Sequence, residues 1–116
     1  MNFFKKLFAP VPALSAAEAR ERLREKPKPF LLDARTSSEY REGHIPGAAL
    51  IPLHELDGRM RKLPKNREII CVCRSGNRSR RAAKQLLAAG YTAVNLKGGM
   101  RAWNKAGYKI KKGKAR

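Results

Sequence analysis

Short apolar runs alternate along this chain with capped, charge-rich stretches, which is the pattern of strands and helices taken in turn. Phe30-Leu31-Leu32 leads to Asp33 and reads as a buried strand, and Ala48 to Ile51 can form a second. Glu68-Ile69-Ile70-Cys71-Val72 is the clearest. It is continuous and β-branched without polar alternation, as a central parallel strand buried on both faces should be. Thr92 to Leu96 predicts the next. Between the strands, Ser15-Ala16-Ala17-Glu18 has capping-box spacing and predicts a helix to about Glu25, ended by Pro27 and Pro29. Thr36-Ser37-Ser38-Glu39 repeats that spacing before a short helix stopped by Gly43. Leu53 to Leu63 predicts a helix broken near Gly58. Arg78 to Ala89 predicts a strong helix with Gly90 as its C-terminal cap, and Gly98-Gly99 turns into a last helix through Trp103, stopped near Gly107. Strands alternating with helices predict an open, mostly parallel α/β sheet.

The 116 residues fit one domain, and a hydrophobic share of 42% allows a core without disulfides. No apolar run approaches the ~20 residues of a membrane span. Lys5 and Lys6 are not followed by the apolar stretch of a secretory leader, since Pro10 and Pro12 interrupt it, so the expected compartment is the cytoplasm. Cys71 and Cys73 share one strand region, which suits reduced thiols better than a disulfide. Met1 to Pro12, with Phe3, Phe4, Leu7 and Phe8, reads as a flap or frayed end in preference to a membrane-surface contact. The expected layout is an N-terminal extension over residues 1–10, a domain over 11–110 and a basic tail over 111–116.

Charge sharpens the picture. Twenty-seven Lys and Arg against nine Asp and Glu give +18, and all nine acids fall at or before Glu68. From Ile69 onward there are thirteen bases and no acid. Such a field draws in anions: small oxyanions, RNA, acidic proteins or anionic lipid.

The chemistry concentrates where the clearest strand meets the strong helix. In open parallel sheets, ligands bind beyond the carboxyl ends of the strands, where Cys73 falls. The loop that follows can curl its N–H groups into an anion nest, and the helix start adds further free N–H groups. With Arg74 and Arg78 nearby, these effects favour a thiolate, lowering a pKa from ~8.5 into a range of roughly 3.5–7.5. Cys73 therefore reads as a nucleophile that must be both ionised and reachable, whereas Cys71, inside the strand, reads as an inert core residue. Cys-x-Cys with only His44 and His54 lacks the paired clusters of a structural zinc site, so no metal is expected.

Three segments resemble the rhodanese family. Phe30-Leu31-Leu32-Asp33-Ala34-Arg35, Glu39-Tyr40 and Gly43-His44-Ile45-Pro46-Gly47-Ala48 look like its first signature. Cys71-Val72-Cys73-Arg74-Ser75-Gly76-Asn77-Arg78-Ser79 is similar to the active-site loop of its single-domain members, and Gly98-Gly99, Trp103 and Ala106-Gly107 resemble its C-terminal signature. The resemblance runs from about Val11 to Ile110 and implies a five-stranded, mostly parallel sheet with helices on both faces.

It further implies a thiosulfate sulfurtransferase working through a Cys73 persulfide, with no metal or organic cofactor. The amides of Arg74, Ser75, Gly76, Asn77, Arg78 and Ser79 would cradle the sulfur, and Arg74 and Arg78 would hold the anionic donor. A thiol, cyanide or an acidic sulfur-carrier protein would be the acceptor. Asp33 and Arg35 match supporting positions, where an ion pair or cap is expected. Glu39 is expected to cap its helix, Tyr40 and Trp103 to pack, and His44 to make a structural hydrogen bond. Leu50 departs from the family, which often has Asn there.

Two other readings compete. Phosphatases and arsenate reductases of the related fold need an arginine after five intervening residues, and counting from Cys73 that position is Ser79, with Arg78 and Arg80 on either side. A non-catalytic basic module would hold RNA or an acidic sulfur-relay partner, yet the scattered aromatics offer no stacking platform.

Overall fold

The computed structural model describes residues 10–114, and in it five strands form one parallel sheet. They are β1 (Ala13–Leu14), β2 (Phe30–Asp33), β3 (Ala49–Leu50), β4 (Ile69–Val72) and β5 (Ala93–Leu96), in the spatial order β1-β5-β4-β2-β3. The helices are α1 (Ala16–Arg22), α2 (Ser37–Glu42), α3 (Leu56–Arg59), α4 (Asn77–Ala88) and α5 (Gly99–Lys105).

The centre of the sheet is β4, paired with β2 on one side and β5 on the other. All four of its residues are buried, and successive side chains point to opposite faces. Ile70 and Val72 join Ala19 of α1, Tyr40 of α2 and Trp103 of α5 on one face. Ile69 and Cys71 join Leu56 of α3 and Ala82, Ala83 and Leu86 of α4 on the other. Each large aliphatic side chain so enclosed contributes roughly 1.5–3 kcal/mol. That two-sided cover is why β4 reads as an unbroken apolar run, and it anchors the strand whose end carries Cys73. Leu50 packs beside the first cluster.

Helix starts follow the capping spacings. Ser15 and Thr36 each accept from the backbone N–H three residues on, while Glu18 and Glu39 reach back to the cap amides. Gly90, at φ +93, closes α4.

The structure adds to the sequence expectations in three places. β1 was not anticipated, because two residues carry no periodic signal. It exists through its neighbour: the Asn95 N–H donates to Pro12 O at 2.9 Å, and the Lys97 N–H to Leu14 O at 2.8 Å. The Leu53 to Leu63 segment breaks one residue past Gly58, after Arg59, and also before Leu56, so it is three short turns. It is a 3₁₀ turn (Leu53–Glu55), one α turn containing Gly58, and a second 3₁₀ turn (Met60–Lys62), pinned by buried Leu56 and Leu63.

The basic tail is paired with the domain at two points within its described length. The Lys111 N–H donates to His44 O at 2.8 Å and the His44 N–H to Lys111 O at 2.9 Å, while the Gly113 N–H reaches Arg41 O at 3.0 Å. Backbone pairing holds this stretch whatever its side-chain charge. The apolar start at Phe3 to Phe8 lies outside the described residues.

Candidate active site

β4 ends at Val72, the chain turns through Cys73–Gly76, and α4 begins at Asn77. Gly76 makes the turn at φ +108, a conformation open to glycine. Gly99 makes the closest approach. At φ +55, a Cβ on it would overlap the Cys73 carbonyl oxygen and stand 2.8 Å from the Arg74 carbonyl. Its bareness lets the first turn of α5 reach the loop: the Met100 N–H donates to Cys73 O at 2.8 Å, and the Arg101 N–H to Arg74 O at 3.0 Å. Two loop carbonyls are thereby tied to α5, leaving loop amides free to face the sulfur. The Gly76 N–H donates to Cys73 Sγ at 3.1 Å, and Ser79 Oγ lies 3.2 Å from the same sulfur.

Burial by itself pushes the Cys73 thiol up. Hydrogen bonds from the Ser79 hydroxyl and from the amides of Ser79, Gly76 and Ser75 outweigh it, so the thiol lies below its ordinary value. Burial pushes Cys71 up to about 12, with Cys73 beside it adding to the shift. Of the two cysteines, Cys73 alone is shifted toward the thiolate. The expectation of a reachable sulfur is not met, since Cys73 exposes 1% of its surface. The donors that favour the thiolate also wrap it.

A family comparison settles what this loop belongs to. The Rhodanese-like domain family matches residues 15–106. The chain belongs to the rhodanese-like family. A protein of Allochromatium vinosum described as a sulfurtransferase is 38% identical over 101 residues, covering 86% of this chain and 94% of its own. A rhodanese-like domain protein from Staphylococcus aureus superposes with a TM-score of 0.78 at 35% identity, covering 87% of this chain and 99% of that one. A thiosulfate sulfurtransferase from Pseudomonas aeruginosa superposes with a TM-score of 0.84 at 30% identity, covering 98% of this chain but 23% of its own.

Around the rhodanese loop, the two arginines take different places. Arg74 is exposed at the rim. Arg78 is engaged: its Nη1 and Nη2 donate to the two oxygens of Glu39 at 2.6 and 2.8 Å. Glu39 thus does more than cap α2, and it offsets part of the charge that Arg78 presents to the sulfur. The Arg78 guanidinium holds the Glu39 carboxyl down at about 2, against the opposing effect of burial.

Asp33 and Arg35 form a buried ion pair, with Arg35 Nη2 2.8 Å from Asp33 Oδ2 and 2.8 Å from Gly43 O. His44 Nδ1 donates to Tyr40 O at 2.7 Å while its ring stacks on Tyr40 at 3.6 Å, a structural arrangement. Asn77 is exposed at the first turn of α4.

Two cavities flank the Glu39–Arg78 pair. One, of about 660 Å³, is lined by Arg35, Leu53, His54, Arg78 and Arg81 among others. The other, of about 530 Å³, includes Arg35, Glu39, Arg74, Met100 and Arg101. Both are rich in arginine, and Cys73 lines neither.

Sequence reasoning missed Asn95. It sits buried in β5, with Nδ2 donating to Gly76 O at 3.2 Å and Oδ1 accepting from Ser79 Oγ at 2.6 Å. The available signal was a lone amide inside the apolar run Ala93-Val94-Asn95-Leu96. Among the described residues, no helix is long and apolar enough to cross a membrane, and no three His, Cys, Asp or Glu side chains gather as a metal site.

Proposed function

We propose that this domain carries sulfane sulfur as a persulfide on Cys73 and acts as a thiosulfate sulfurtransferase. The reading rests on one observation: Sγ is ringed by the Ser79 hydroxyl and loop amides that lower its pKa despite burial. The Cys73 thiolate attacks the outer sulfur of thiosulfate. The new S–S bond forms as the old one breaks, and sulfite leaves with the bonding pair. The terminal persulfide sulfur now carries the negative charge, and amides of the Arg74 to Ser79 loop hold it. Cyanide or a thiolate then attacks that sulfur and returns the Cys73 thiolate.

Arg74 and Arg78 attract the donor dianion into the flanking cavities, with Arg78 exchanging Glu39 for substrate. The Asp33–Arg35 pair braces the Gly43 carbonyl, and Arg35 lines both cavities. The acid-free stretch from Ile69 onward favours an acceptor protein with an acidic surface. Two free cysteines fit work in the reducing cytoplasm.

Intact mass spectrometry after thiosulfate exposure tests the proposal. The expected result is a gain of one sulfur atom on Cys73, removed by reductant. No gain in the wild type, or the same gain in Cys73→Ser, overturns it.

A further inference from the structure

Ser79 has one hydroxyl proton and two acceptors competing for it: Cys73 Sγ at 3.2 Å and Asn95 Oδ1 at 2.6 Å. All three residues are buried. The orientation of the Asn95 amide is set by its other end, since Nδ2 donates to Gly76 O and the reverse placement would set two oxygens face to face. The atom facing Ser79 is therefore an acceptor only.

We propose that Asn95 is a positioning residue that controls, through the Ser79 hydroxyl, how readily Cys73 ionises. The proposal deepens the nucleophile reading above and rests on it. While Sγ is protonated, the chain of donors is complete: the thiol donates to Ser79 Oγ, and Ser79 donates to Asn95 Oδ1. Once the thiol proton has left to water, Sγ can only accept. Ser79 must then turn to the sulfur, leaving its oxygen lone pairs against Oδ1, or stay with Asn95 and leave the thiolate to the amides alone. Either way Asn95 works against the thiolate and holds back the nucleophile. When Sγ no longer carries the charge, the same acceptor takes the Ser79 proton again.

Other titratable groups surround the loop. Arg74 lies on the loop, and Arg78 on α4 is paired with Glu39 of α2. The Asp33–Arg35 pair lies at the end of β2, and Cys71 is within β4. The substitutions below leave all of them in place.

The test is a pH titration of thiolate ultraviolet absorbance in the full chain, with Cys73→Ser as the blank. This readout needs no reagent to enter the loop, and Cys71, pushed up to about 12, stays silent through the working range. Asn95→Leu and Asn95→Val, which fill the strand position without an acceptor, are expected to lower the Cys73 midpoint by about one pH unit. Ser79→Ala is expected to raise it, and in that background the Asn95 substitutions are expected to move it no further. An unchanged or raised midpoint in folded Asn95 variants overturns the proposal. So does an equal downward shift without the Ser79 hydroxyl, or failure of both Asn95 variants to fold, which would make Asn95 a structural tie for Gly76. If the wild type shows no lowered midpoint at all, it is the nucleophile reading that fails.

Discussion

Glu39 and Arg78 meet through two hydrogen bonds, Nη1 to Oε1 at 2.6 Å and Nη2 to Oε2 at 2.8 Å, joining α2 to the first turn of α4 beside the loop. The Glu39 carboxyl is depressed from 4.5 to about 2 in the folded chain. A depressed acid stabilises the fold above its unfolded value, and that contribution is lost as pH falls from about 4.5 through about 2. With side chains 26% and 33% exposed, solvent screening limits the pair to ~1–2 kcal/mol. Glu39→Gln is expected to lose that much at neutral pH and little more in acid, so wild type and variant should converge in thermal unfolding as pH drops. Curves that stay parallel would count against the pair.

The same contact bears on substrate capture. Glu39→Gln frees Arg78, so the KM for thiosulfate is expected to fall at low salt. Arg78→Ala should raise it. Steady-state kinetics across a salt series would show both, and a Glu39→Gln enzyme with an unchanged KM would leave Arg78 without a part in binding.

Cys73→Ser is expected to reduce thiosulfate to cyanide transfer to background with the fold intact. Cys71→Ser should retain transfer but lose roughly 1–3 kcal/mol by burying a hydroxyl between β4 and α4. Assays paired with denaturant curves separate the two. A folded Cys71→Ser protein without turnover would point to a two-thiol mechanism.

Gly99→Ala should be among the most damaging single changes. It combines a left-handed backbone with overlap on the Cys73 carbonyl, and about 3 kcal/mol or more of destabilisation is expected. Gly107→Ala, also at positive φ but with nothing within 4 Å, should cost less. Thermal melts of the two variants make the comparison, and equal losses would mean that close approach to the loop is not what Gly99 supplies.

With Cys73 1% exposed, its reaction with external reagents requires the rim to open. Alkylation of Cys73 should fall far more steeply with reagent size than that of a small free thiol, which peptide mapping after timed labelling would measure. Equal rates for small and bulky reagents would show an open sulfur in solution.

Much of this was legible along the chain, and for local reasons. Burial on both faces makes β4 a continuous apolar run, capping boxes mark α1 and α2, and a cysteine between such a strand and a helix marks the site. These signals lie within a few residues of one another, so the sequence alone determined the class of fold and the family and singled out Cys73 as the candidate nucleophile. The contacts around the Cys73 loop span long separations: Glu39 with Arg78, Gly99 with Cys73, and Asn95 with Ser79. No local spacing encodes them, because each arises only when the parallel crossovers bring different strand ends and helix starts together. Tertiary structure alone decided that Arg78 is held by a carboxylate, that the sulfur is enclosed, and that a buried amide shares its hydroxyl donor. Hydrogen-bond competition depends on which acceptors lie within about 3 Å of one proton, and packing sets that distance.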